Sequence, residues 1–239
     1  MARRTKADAQ ATRDSLLDAA EQLFQARGVS RTSLNDIAVA AGTTRGAIYW
    51  HFKHKADLFN AMMERVTLPL EQTLNVSQAA SSDDPLTAIR NAMIEAMRLI
   101  ATDEQTRRVL YIAPHQVEYT DELGDVQTRR LQVHSQCVAR NRAVLAQAFV
   151  TQGVVCPVPL DCAAHGLQAL VEGLAQHWLL KPSAFDLVDT GRHALDVYLS
   201  GLGLRTHQPV AQAKRLRCLL CCFINHSYPR LMVLRGSRF

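Results

Sequence analysis

An all-α fold is predicted for this 239-residue chain, and three observations predict it. Apolar residues recur at helical spacing in successive segments, Leu16, Leu17, Ala20, Leu23 and Phe24 forming the first stripe. Nowhere is the period-two alternation of a half-buried strand sustained. Ser, Thr, Asp or Pro stands ahead of several stripes, and Gly follows several of them.

The elements follow in order. Asp8 to Arg27 reads as one amphipathic helix that Gly28 stops. Thr32-Ser33-Leu34-Asn35-Asp36 is a helix start at which either hydroxyl can cap, and Ser33 with Asp36 has capping-box spacing. The second helix is short, with Leu34, Ile37, Ala38 and Ala41 apolar, and Gly42 ends it. Thr43-Thr44 offers a new cap, and Arg45 to Phe52 forms the third helix. A fourth begins near Ala56-Asp57 and runs toward Leu74, with a kink or restart expected at Pro69. Ser77 to Asp84 is a loop, and Pro85 fits the first position of a helix marked by Leu86, Ile89, Met93, Met97 and Ile100. Further helices are read at about Glu104–Val117, Glu122–Gln152, Asp161–Leu180 and Leu187–Leu202.

Composition narrows the function classes. The formal charge is +5, yet the stretch from Arg205 carries seven Lys/Arg and no acid. The residues before it hold 20 basic and 22 acidic side chains, a net of −2, so global charge does not make the folded body a nucleic-acid binder. Arg3, Arg4 and Lys6 form a short basic arm of a kind that contacts phosphates. No membrane-length apolar run and no signal-peptide run is seen, so the expected location is cytoplasmic and the six cysteines are expected as thiols.

Leu34 to Phe52 has the form helix, Gly-containing turn, helix, which suits a helix-turn-helix. Thr43, Thr44 and Arg45 are short or planar enough to approach base edges and phosphates, and Gly46 lets the backbone come close. Tyr49 and His51 can donate to phosphates, and Lys55 could reach a flanking one. A helical hairpin inside an ordinary bundle fits the same spacing.

The stretch from Thr32 through Lys55 resembles the DNA-binding signature of the TetR family of repressors. Met1 to Lys6, Thr12-Arg13 and Leu16 to Ala20 resemble the branch that represses multidrug efflux pumps of the resistance-nodulation-division type. The likeness is close over residues 1–65 and looser to about 204, through Arg107-Arg108, His115, Glu118 and Gly173 to Asp186. It implies a fold of nine or so helices, a homodimer formed by the last two, a palindromic double-stranded operator and a small-molecule inducer. By position, the DNA-contacting residues would be Thr32, Thr43, Thr44, Arg45, Tyr49, Trp50, His51 and Lys55, with Thr44, Arg45 and Gly46 the better base readers. The division implied is a DNA-binding domain over 1–56 and a ligand-binding and dimerisation domain over 57–204; outside the likeness, the basic, Cys-containing stretch 205–239 is expected as a poorly ordered tail.

Two departures stand out. Pro114, expected to interrupt the sixth helix, lies in a segment that the family sets near its ligand. The tail is the other. Its Cys218, Cys221, Cys222 and His226 would suit zinc or a redox switch, but their spacing is irregular and its composition also fits an altered reading frame.

Met93, Met97, Tyr111, His115, Glu118, Val171, Trp178 and Phe185 are the residues expected around a promiscuous apolar ligand, with plain core as the competing reading. His115 and Glu118 at i,i+3 are too few for a metal site, and no cofactor is expected. Ala163, Ala164, Gly166, Ala169 and Gly173 allow close helix packing, across a dimer or within the chain. An enzyme finds no support, since HExxH, GxSxG and a phosphate loop are absent and Cys137, Cys156 and Cys162 lack a His partner by spacing. A regulator that responds to thiol oxidation is the remaining alternative.

Overall fold

The computed structural model describes residues 6–73, 84–117 and 124–206, with the side chains of 69–73 left aside. Among these residues the chain forms nine helices and no strand: α1 Lys6–Arg27, α2 Leu34–Ala40, α3 Arg45–His51, α4 Lys55–Thr73, α5 Pro85–Thr102, α6 Glu104–His115, α7 Gly124–Gln152, α8 Leu160–Leu180 and α9 Leu187–Gly201. Arg3, Arg4, Glu118 and the tail from His207 lie outside the described residues.

Local chemistry sets the boundaries. Gly28, at φ +84°, turns the chain out of α1. Ser33 and Asp36 form the expected capping box, Ser33 Oγ accepting from the Asp36 N–H at 3.1 Å and the Asp36 carboxylate from the Ser33 N–H at 2.9 Å. Thr44 caps α3, its hydroxyl accepting the Ala47 N–H at 3.2 Å. Asp84, Asp103 and Asp186 cap α5, α6 and α9 in the same way. Two prolines fall inside helices without ending them. The fourth helix continues through Pro69 to Thr73, although Pro69 has no N–H to give to the Arg65 carbonyl. Pro114 falls in the last turn of α6, which runs on to His115.

The helices bury their stripes in two cores. Leu16, Leu17 and Phe24 of α1, Ile37 of α2, Ile48 of α3 and Leu58, Phe59 and Met62 of α4 make the first. Val109 and Ile112 of α6 and Val126 of α7 complete it, so packing does not stop at residue 56. The second gathers Ile89, Met93 and Met97 of α5, Leu145 and Phe149 of α7, Leu167 and Trp178 of α8, and Leu195 and Leu199 of α9. A buried Arg90 ties α5 to α9 through Asp196, Nη2 to Oδ2 at 2.7 Å. Gly191 of α9 lies against the Met97 sulfur, where a Cβ would overlap it.

Gly191→Ala should therefore cost about 1–3 kcal/mol, read by urea denaturation, because the fully buried Met97 has to move. Bonds from the Thr106 hydroxyl and N–H hold the Asp103 carboxyl below the ordinary carboxylate range. Its stabilisation is complete above that range, near pH 4, and is lost as pH falls through the lowered value. Asp103→Asn, which keeps a cap oxygen, should flatten this acid limb of the stability profile, and Asp103→Ala should cost about 1 kcal/mol at neutral pH.

Candidate nucleic-acid interface and internal cavity

Helices α1, α2 and α3 form a compact trio around the first core, and α3 spends one buried side chain, Ile48, on holding its place. The remaining faces of α3 point outward. Trp50 is 73% exposed and Tyr49 48%, and Thr44, Arg45 and Gly46 are exposed as well. The Arg45 guanidinium stands 5.7 Å from the centre of the Tyr49 ring, one turn on, so the two form a single exposed cation-aromatic unit. Trp50 and His51 meet edge to face at 4.6 Å. A Cβ added at Gly46 would find nothing nearer than the Thr44 hydroxyl at 3.9 Å, which leaves the backbone open to a close approach from outside.

Two expected contacts are placed differently. Thr32 is buried, its hydroxyl giving to the Gly28 carbonyl at 2.9 Å, so it shapes the α1–α2 turn rather than a surface. Lys55 is also buried, with its ammonium 3.4 Å from the Ser30 carbonyl. Around them opens a cleft of about 420 Å³ that Ser30, Arg31, Ser33, Tyr49, Lys53 and His54 help to line. Sequence reading missed Arg31 and Lys53, exposed cations that flank the two short helices. Their position immediately before Thr32 and after Phe52 was the available signal. Lys6 opens α1 and is exposed.

A second, mostly apolar cavity of about 310 Å³ lies inside the helical body. Five helices wall it: α4 with Phe59, Asn60, Met63 and Thr67; α5 with Ala96 and Ile100; α6 with Leu110, Ala113 and Pro114; α7 with Val126, Arg129, Arg130 and Val133; α8 with Val171, Glu172, Ala175, Gln176 and Leu179. Arg129 is paired with Glu64 of α4 at 2.8 Å. Glu172 accepts from Gln168 at 2.8 Å and faces the His134 ring at 3.2 Å, and Gln168 in turn accepts from the buried Asn141 at 2.9 Å. Polar groups are thus few and pre-oriented in an apolar shell, the usual build of a small-molecule site.

Of the described residues expected around a ligand, Val171 lines this cavity. Met93, Met97 and Trp178 are buried in the second core, and Tyr111 and Phe185 pack against it. Helical period turns Met93, Met97, Tyr111 and Trp178 inward and the bend after α8 brings in Phe185, but neighbouring helices cover them before any space opens. His115 is exposed, its ring 4.9 Å from Tyr111. The α4 wall went unread because its apolar residues look like ordinary core until α6 and α7 are packed beside them. Among the described residues no group of three His, Cys, Asp or Glu could hold a metal ion, and no helix is long and apolar enough to cross a membrane. Cys137 and Cys156 are half-buried and Cys162 is exposed.

Comparison with known proteins agrees with this layout. Residues 16–62 match bacterial regulatory proteins of the tetR family, and residues 84–204 match the C-terminal region of MAATS-type transcriptional repressors. The HTH-type transcriptional regulator TtgR of Pseudomonas putida is 38% identical over 200 residues, covering 80% of this chain and 94% of that protein. The crystal structure of NalD, the secondary repressor of the MexAB-OprM multidrug efflux pump in Pseudomonas aeruginosa, is 36% identical with a TM-score of 0.75, covering 84% of this chain and 100% of that one. A SmeT–triclosan complex, SmeT being the repressor of the Stenotrophomonas maltophilia pump SmeDEF, is 30% identical with a TM-score of 0.72, covering 85% and 100%. One framework holds the exposed third helix and the walled cavity, and the chain belongs to the TetR family of bacterial regulatory proteins.

Proposed function

We propose that the protein is a transcriptional repressor of a multidrug efflux operon, released from a palindromic operator when a small hydrophobic effector enters the internal cavity. The observation that carries this reading is the exposed Thr44–Arg45–Gly46–Tyr49 surface on a helix whose inner side is locked into the core. The relatives NalD and SmeT, described as repressors of multidrug efflux pumps, support the target class. Thr43, Thr44, Arg45 and Gly46 approach base edges. Tyr49, Trp50, His51, Lys6 and the newly noted Arg31 and Lys53 meet phosphates, which positions the protein without reading sequence.

Two such heads reach successive major grooves when a homodimer spaces them about 34–36 Å apart. The exposed sides of α8 and α9, with Ala169, Leu180 and Val197, are the surface we assign to that dimer. The effector acts by differential affinity. It prefers a conformer whose heads no longer match the groove spacing, and it shifts the equilibrium only by that preference. Catalysis is not part of the proposal.

In vitro selection from random duplexes should enrich a palindrome whose binding weakens steeply with salt. Arg45→Ala and Tyr49→Ala should each lower affinity for it by about 10–100-fold with an unchanged melting temperature. Retention of full affinity by both variants would remove the reading helix from the proposal. Triclosan serves as the first effector probe by calorimetry. Val171→Trp, which fills the cavity, should weaken its binding at least about tenfold, that is by about 1.4 kcal/mol.

A further inference from the structure

Glu21 is a buried carboxylate that neither the reading surface nor the cavity uses. It is 1% exposed on α1, at the place where α1 packs on α4 and α6. One hydrogen bond to it is complete, from Gln105 Nε2 to Oε1 at 2.9 Å. Two guanidiniums stop short. Arg65 Nη1 of α4 lies 3.7 Å from Oε1, and Arg108 Nη1 of α6 lies 3.8 Å from Oε2. Each is held by another carboxylate, Arg65 by Asp18 at 2.6 Å and Arg108 by Glu104 at 2.8 Å. Arg65 Nη1 is itself buried without a hydrogen-bond partner among the described residues. A buried charge met so incompletely is costly. Burial accordingly pushes the Glu21 carboxyl above its ordinary range; Asp18 adds to the rise, while Gln105, Arg65 and Arg108 oppose it.

The same two helices wall the cavity on other faces. Met63 and Thr67 line it from α4, and Arg65 is about 200° from Met63 around that helix. Ala113 and Pro114 line it from α6, and Arg108 is about 140° from Ala113. A push on either helix from the cavity therefore bears on the opposite side, where Glu21 waits.

We propose that Glu21 is the positioning residue that couples cavity occupancy to the reading head: a guest displacing α4 and α6 closes Arg65 or Arg108 onto its carboxylate, and α1 moves with α2 and α3 packed upon it. The gap to be closed is about one ångström, from the present separations to the 2.7–2.9 Å of a charge-assisted bond. The inference rests on the effector-cavity reading above and goes beyond it by naming the part that transmits.

The test is a double-mutant cycle on operator affinity, using the selected duplex and no effector. Ala113→Phe puts a ring into the cavity in place of a guest. It should weaken operator binding at least tenfold in the native background and less than threefold in Glu21→Gln. Glu21→Gln alone should melt no lower than the native protein, because it removes a poorly met buried charge. Should Glu21→Gln fail to fold, Arg108→Gln takes its place in the cycle with the same expectation. Equal losses from Ala113→Phe in both backgrounds, or none in the native one, overturn the coupling and leave the repressor reading intact. A native chain that enriches no duplex overturns both.

Discussion

Phe59 of α4 and Phe24 of α1 meet with their ring centres 6.2 Å apart, and the architecture on both sides depends on that contact. Both rings are fully buried in the first core, each contributing about 1.5–3 kcal/mol of apolar burial. Phe59 also lines the internal cavity. One side chain thus closes the core under α3 and forms part of the wall of the cavity. Because interiors are close-packed, a change of volume on the cavity side cannot be absorbed locally without moving α4.

The polar groups along this junction reinforce the same constraint. The Val29 N–H gives to the Gln116 carbonyl at 2.9 Å, so the turn that leads into α2 is tied to the end of α6. Arg129 and Glu64 bridge α7 and α4 at the edge of the cavity. Arg65 and Asp18 bridge α4 and α1. The two ion pairs are partly exposed, and each contributes little to stability, typically below about 1 kcal/mol. Their effect is geometric: they define how α1, α4, α6 and α7 stand to one another, whereas the apolar contacts decide only that they stand together. Glu21 differs from them in being buried and only partly satisfied, which is why a small shift of its neighbours changes its energy.

The two cores also explain how a protein of this design keeps a cavity without collapsing. The second core, with Arg90 and Asp196 clamping α5 to α9, holds α5, α7, α8 and α9 as a frame, and its Ile100 and Leu179 reach the cavity wall. The cavity opens where that frame meets α4 and α6. Pro114 belongs to this boundary. It has no N–H for the Leu110 carbonyl, so the last turn of α6 is held by fewer bonds just where it lines the cavity and where Gln116 reaches the head. A helix end weakened in this way yields more readily than one whose bonds are all made.

Much of the molecule was legible from residue order because it depends on neighbours a few positions apart. The all-helical class, the Ser33–Asp36 box, the Thr44 cap, the Gly28 and Gly42 turns and the outward face of α3 all follow from 3.6-residue periodicity and short-range hydrogen bonding. The family likeness of residues 32–55 was likewise written in consecutive residues. Tertiary structure alone decided which inward residues meet a void and which meet another side chain, and so Trp178 and Met97 became core while Phe59, Met63 and Ala113 became wall. It also decided that Thr32 and Lys55 turn inward and that Glu21 faces two guanidiniums from helices 44 and 87 residues away. Periodicity tells which side of a helix leaves water, but the identity of what it meets depends on how helices distant in sequence pack.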